Sequence, residues 1–243
     1  MRRGRVVVVV VVALVLLAAA GVAWYVGDYN HADETARAAL EPADDGVTVV
    51  PLDDGSIAFE PMDARVGLVF YPGAKVEPEA YAPLLRSCAE RGVLCVAVRP
   101  PLNLALLDVG AADRIMAKYP NVSDWFAMGH SMGGVAAADY VAGHEDNMDA
   151  LVLLAAYPNN SLKDFAGEVC TFVGTEDGVV NRQKLDEADE KLPAGAELRI
   201  IEGGNHANYG DYGAQKNDGQ AAISAREQQK VVAEEVATLA QAA

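Results

Sequence analysis

From residue 66 onward, short, mainly apolar runs alternate with longer segments in which apolar residues recur at helical spacing. The runs at 66–71, 93–98, 124–128, 150–155, 169–173 and 198–201 predict strands, and the segments 77–91, 111–119, 135–144, 181–192 and 226–240 predict helices. Strands apolar on both sides, separated by helices of this length, predict a mainly parallel sheet covered on both faces. Upstream, 47–50 and 56–59 flank Asp53-Asp54-Gly55, a hairpin signal. The polar, alanine-rich stretch 27–46, with one short helical piece at 32–40, reads as a stalk.

The longest apolar run, residues 6–26, carries no charge and as a helix would be roughly 31 Å long, about one hydrocarbon core. The chain therefore divides into a short cytoplasmic N-terminus at 1–5, a transmembrane anchor at 6–26, the stalk at 27–46 and one α/β domain at 47–243. Arg2, Arg3 and Arg5 precede the run and no basic cluster follows it, which places the N-terminus in the cytoplasm and the domain outside. Trp24 and Tyr25 suit the far interface. The alternative is a secreted protein released after signal-peptide cleavage at Ala18-Ala19-Ala20. The apolar run exceeds the usual signal length of about 7–15 residues, which favours the anchor.

Composition narrows the partners. The formal charge is −16, and the part beyond the three N-terminal arginines holds 16 basic against 35 acidic residues, or −19. Such a surface repels nucleic acid and anionic lipid. Three cysteines are too few for a disulfide-built scaffold. Cys88 and Cys95 flank a helix-to-strand turn, where a bridge and two free thiols are equally expected, while Cys170 reads as core.

The candidate chemistry centres on Gly129-His130-Ser131-Met132-Gly133, between an apolar strand and an alanine-rich helix. A serine on a sharp strand-to-helix turn needs small residues two places to either side, because the backbone there is strained and crowded. Ser131 is the candidate nucleophile, and the Met132 amide faces a developing oxyanion. Ligands of such sheets collect beyond the carboxyl ends of the strands. After 169–173 comes Gly174-Thr175-Glu176-Asp177-Gly178, where Asp177 is the expected orienting acid and Glu176 the runner-up. After 198–201 comes Gly203-Gly204-Asn205-His206, which puts His206 in place to take a proton from Ser131. His31, His130 and His144 read as structural or exposed. After 66–71 comes Pro72-Gly73-Ala74-Lys75, whose expected second oxyanion donor is the Ala74 amide, with Lys75 as alternative.

The elbow, the Gly-x-x-Asp at 174–177 and the late-loop His206 resemble the α/β-hydrolase superfamily over roughly residues 47–241, in the chain order nucleophile, acid, histidine. Tyr71-Pro-Gly-Ala-Lys, Tyr81-Ala-Pro-Leu-Leu, Pro101-Leu-Asn and Gly204-Asn-His-Ala look like the compact, lidless branch related to dienelactone hydrolases. That family carries a cysteine nucleophile where this chain has Ser131, which argues against calling it a dienelactone hydrolase. The resemblance implies an α/β-hydrolase fold without a cap domain and acyl transfer to water through Ser131, His206 and Asp177, with Met132 and Ala74 as the oxyanion hole.

The expected activity is hydrolysis of a small ester or thioester. The alternatives are a non-catalytic hydrolase-fold binding protein of the envelope and a peptidase or amidase on the same fold. No metal-spaced cluster or nucleotide-binding glycine loop is present in the sequence, so no metal or organic cofactor is expected. Only about ten residues, 157–167, are available where relatives insert a cap, too few for a helical lid. The connection 207–224 is therefore the expected pocket wall, with Lys75, Asn103 and Tyr209 as candidate substrate contacts.

Overall fold

The computed structural model describes residues 2–243, apart from the side chains at positions 2, 3, 24 and 26. The expected roles of Arg2, Arg3 and Trp24 at the membrane lie outside that description. The apolar run forms helix α1 (Arg2–Gly27), of which Arg5–Ala23 is long and apolar enough to cross a membrane, with mean hydropathy 3.2. None of that span is buried against the rest of the chain.

Strands β1 (Val47–Pro51) and β2 (Ile57–Pro61) form the expected hairpin. β3 (Val66–Tyr71), β4 (Leu94–Ala97), β5 (Asp124–His130), β6 (Ala150–Leu154), β7 (Glu168–Gly174) and β8 (Glu197–Ile201) then alternate with α3 (Ala82–Ala89), α4 (Ala111–Lys118), α5 (Met132–Gly143), α6 (Arg182–Ala188) and α7 (Ala225–Ala242). The eight strands make one sheet in the order β1-β2-β4-β3-β5-β6-β7-β8, parallel from β4 to β8. Side chains alternate across it. Leu68, Phe70, Phe126 and Met128 enter the layer under α3 and α7, whereas Val69, Tyr71, Trp125 and Ala127 enter the layer under α4 and α5.

Register fixes where the loops emerge. Tyr71 pairs with Gly129, Gly129 with Leu153, Leu153 with Thr171, and Gly174 with Ile201. The carboxyl ends of β3, β5, β6, β7 and β8 thus share one edge of the sheet, and the crevice between β3 and β5 is where the strand order reverses.

Two segments depart from expectation. Residues 27–46 do not form an open stalk. Ala32 and Ala36 are buried, Asn30 pairs with Val76, and α2 (Glu34–Ala38) is capped by Asp33. The buried Arg86 holds the segment from below, with Nε donating to Asp45 at 2.6 Å and Nη1 to the carbonyls of Ala39 and Glu41. The sheet is not covered on both faces throughout: β8, the last strand, is an edge whose first four residues are exposed.

The three cysteines are free and buried. The Cys95 thiol donates to the Val93 carbonyl at 3.4 Å, and burial, reinforced by the neighbouring Cys88, pushes it well above the ordinary thiol range. Cys95 is therefore not poised as a thiolate nucleophile.

Candidate active site

Ser131 sits between β5 and α5 with φ 53° and ψ −121°, a conformation costly for any residue but glycine. The strain is held by its surroundings. The Ser131 amide donates to the Leu154 carbonyl at 2.8 Å, continuing the pairing of β5 with β6 by one residue. Gly133, in the first turn of α5, lies so close under the Tyr71 and Pro72 carbonyls that a β-carbon there would collide with both. The loop after β3 is thereby pressed onto the elbow.

β7 and β8 deliver Asp177 and His206. Gly174 faces the Gly204 backbone with no room for a side chain, which draws the two strand-end loops together. Asp177, buried, accepts from the Val179 and Val180 amides on Oδ1 and from His206 Nδ1 on Oδ2 at 2.9 Å. Burial pushes its carboxyl up, but the hydrogen bond and charge of His206 and the two amides outweigh that and hold it below its ordinary value. An ionised Asp177 can only accept, so Nδ1 carries the imidazole proton and Nε2 is left with a lone pair. Nε2 is buried and has no hydrogen-bond partner among the described residues. Glu176, the alternative acid, is exposed and meets Thr175.

Ser131 and His206 open onto one cavity of about 310 Å³, walled by Met132 and Val135 of α5, residues 155–157 and Asn159 after β6, residues 179–181 after β7, and Leu106. Larger hollows exist, one of about 490 Å³ lined by α2, α3 and α7 residues, but it touches neither Ser131 nor His206. The amides of Met132 and Ala74 make no hydrogen bond among the described residues, whereas the Lys75 amide donates to the Asn103 carbonyl at 2.8 Å. Of the two donors read from the loop after β3, Ala74 is therefore the one with its N–H available. No group of three or more His, Cys, Asp or Glu among the described residues is arranged to hold a metal ion.

The candidate substrate contacts lie elsewhere. Lys75 Nζ pairs with Asp28 at 2.9 Å, Asn103 lends its carbonyl to Lys75, and Tyr209 is fully buried with its ring 5.4 Å from that of His130; none lines the cavity. The connection 207–224 is likewise not the wall. It folds down behind His206, where the Asp211 amide donates to the Ala80 carbonyl and Tyr212 packs on Tyr81.

That connection supplies a support that sequence reasoning missed. Asp218 accepts from the amides of His206 (3.2 Å) and Ala207 (2.8 Å) and from Gly178 (3.1 Å), tying the histidine loop to the acid loop. Gln228 of α7, fully buried, accepts from the Asn205 amide and donates to the Asn205 carbonyl. A glutamine four residues before Val232 and eight before Val236, on the apolar stripe of α7, was the available signal.

His130 also does more than fill the elbow. Tyr81 accepts the Gly73 N–H at 3.0 Å and its hydroxyl shares a hydrogen bond with His130 Nδ1 at 2.8 Å. Burial first, and then the charge of His206 4.6 Å away ring to ring, press the His130 pKa well below the ordinary histidine value. A neutral His130 spares the site a second cation when His206 is protonated. Unfolded, the ring binds a proton near pH 6.5, so the unfolded state takes up more protons as pH falls below that value and folding stability drops. Between pH 7.5 and 5, the Tm of the wild type is expected to fall more steeply than that of His130→Asn, as thermal melts would show; equal slopes would refute the assignment.

A family model described as an alpha/beta hydrolase family matches residues 67–230, two thirds of the chain and every element just described around Ser131, Asp177 and His206. The chain belongs to the alpha/beta hydrolase family. Among solved structures, the hydrolase is similar to a predicted CIB-like hydrolase from Thermoplasma acidophilum, at 16% identity over 79% of this chain and 98% of that one, with TM-score 0.58. It is also similar to Est1E from Butyrivibrio proteoclasticus, at 15% identity over 81% and 98%, with TM-score 0.56. The esterase domain of a Rhodothermus marinus protein gives 12% identity over 79% and 97%, with TM-score 0.57. At such identities these likenesses bear on the fold alone. No curated protein matches the hydrolase.

Proposed function

We propose that this chain is a membrane-anchored serine hydrolase, its domain outside the cytoplasm, that cleaves a small acyl ester or thioester without metal or organic cofactor. The observation that carries the reading is the placement of His206: one ring nitrogen on a buried carboxylate, the other buried and without a partner among the described residues, on a side chain that lines the cavity Ser131 shares. In this mechanism His206 Nε2 takes the proton of Ser131 as Oγ attacks the acyl carbon. The Met132 and Ala74 amides stabilise the tetrahedral oxyanion, and Asp177 stabilises the imidazolium. The imidazolium returns its proton to the departing alcohol or thiol. Water, deprotonated by His206, then releases the carboxylic acid and restores Ser131.

Two features support the anchor and its topology: an apolar span of 19 residues with no part buried against the domain, and a cluster of arginines just before it with no basic cluster just after. A signal sequence passes the same test of length and composition, and the N-terminus of the purified mature chain separates the two.

The test of the chemistry is covalent. A fluorophosphonate probe is expected to add one phosphonyl group, mapped by peptide mass spectrometry to Ser131, and turnover of acyl esters is expected to exceed that of matched amides by at least about 100-fold. Labelling elsewhere, or none on folded protein, would remove the serine mechanism; comparable amide turnover would shift the reading to an amidase.

A further inference from the structure

The mouth of the cavity is apolar on its outer rim as well as on its inner wall. Outside α1, eight large hydrophobic side chains among the described residues are exposed. Four of them belong to this edge: Leu102 (46%), Leu106 (41%), Leu107 (57%) and Met132 (39%). Leu106 and Met132 also line the cavity, and the turn Ala105–Leu107 packs against α5. Leu102 and Asn103 hold left-handed conformations, φ 57° and 53°, which non-glycine residues adopt at a cost. That cost is borne where it leaves a leucine in solvent. Clustered apolar exposure beside a cavity marks a surface made for contact.

The second observation is where α1 ends. Asn30, three residues beyond Gly27, donates its amide to the Lys75 carbonyl at 2.7 Å and accepts from the Glu77 amide at 3.0 Å. Lys75 Nζ pairs with Asp28 and lies over the Tyr25 ring, 4.5 Å from its centroid. Three extended residues span at most about 11 Å. Whatever the tilt of α1, the loop that carries Ala74 is thus held within that distance of the end of the apolar helix. The Lys75 amide carries the connection on to Asn103, beside Leu102.

We propose that this edge of the domain rests on the bilayer that α1 crosses, with Leu102, Leu106, Leu107 and Met132 in the interface, and that the substrate is an amphiphilic acyl ester drawn from the lipid phase. The substrate half rests on the hydrolase reading above; the docking half needs only the anchor and the rim. Hydrolysis breaks the acyl C–O bond, water supplies the oxygen of the acid and the proton of the alcohol, and the ionised acid leaves the cavity for the surface. The strongly acidic domain makes zwitterionic headgroups, rather than anionic ones, the surface it tolerates.

The three native cysteines are buried, so an added surface cysteine can be labelled alone. Full-length protein carrying Leu107→Cys, labelled with bimane and reconstituted in phosphatidylcholine vesicles, is expected to be quenched by doxyl-labelled phosphatidylcholine at least threefold more than Asp146→Cys, an exposed position at the opposite edge of the sheet. Quenching at 107 no stronger than at 146 would overturn the docking and leave the rim to a protein partner. In the same vesicles, Leu102→Ser/Leu107→Ser is expected to slow hydrolysis of bilayer-dissolved 4-nitrophenyl palmitate at least fivefold while leaving soluble 4-nitrophenyl acetate unchanged. An equal effect on both esters would overturn the substrate assignment. If the wild type hydrolyses neither ester, the hydrolase reading fails, while the quenching comparison still decides the docking.

Discussion

Ser131→Ala is expected to lower kcat for ester hydrolysis by about 10⁴- to 10⁶-fold and to abolish fluorophosphonate labelling, with the thermal melt close to that of the wild type. The magnitude follows from the role proposed for the hydroxyl: Ser131 lines the cavity shared with His206 and supplies the attacking oxygen. His206→Ala is expected to fall in the same range. Because the two act on one proton and one bond, Ser131→Ala/His206→Ala should be little slower than either single variant. Multiplicative losses would mean that the residues act separately. More than about a tenth of wild-type activity in Ser131→Ala would put the nucleophile elsewhere.

The largest stability effect is expected at Gly133. An alanine β-carbon there meets the backbone oxygens of Tyr71 and Pro72, which cannot rotate away as a side chain would. Either β3 and its loop withdraw from the elbow or the strained Ser131 relaxes, and both uncouple the Ala74 amide from the nucleophile. Gly133→Ala is therefore expected to cost at least about 3 kcal/mol, a Tm lower by roughly 10 °C, together with most of the activity. Gly143, at the other end of α5, has open space where a β-carbon would sit, so Gly143→Ala is the control and should melt within a degree or two of the wild type. Equal melts for the two variants would show that the close approach is not as tight as described.

The difference between these glycines explains what could be read from the chain. The elbow was legible because strain at one serine dictates small residues at fixed offsets, a local requirement that leaves a mark in the sequence. The strands and the pairing of Asp177, rather than Glu176, with His206 were legible for a related reason: strand ends share an edge, and turn chemistry after β7 favours one carboxylate. The cavity walls were not. Which of several loops leans over Ser131 depends on packing among segments far apart in sequence, so residues 155–159 and 179–181 carried no local sign, and Tyr209 looked available when its ring is in fact buried.

Segment 27–46 misled in the same way. Its polar composition reads as a tether, yet two alanines, a helix cap and a partner arginine at position 86 suffice to seat it. The exposure of β8 was not legible because an edge strand and a central one can both carry apolar residues; only the absence of a neighbour beyond it distinguishes them.

The seating of residues 28–33 against the loop after β3 has a consequence for how an anchored molecule meets its substrate. With the chain hydrogen-bonded into the domain immediately after the helix, the body cannot tumble on a leash, and its orientation is set before any encounter. For a domain anchored and docked as proposed, the search becomes two-dimensional. Turnover should then follow the mole fraction of ester per unit of surface and not its bulk concentration, so diluting the ester with inert lipid would slow the reaction even when the total amounts of ester and protein are held constant.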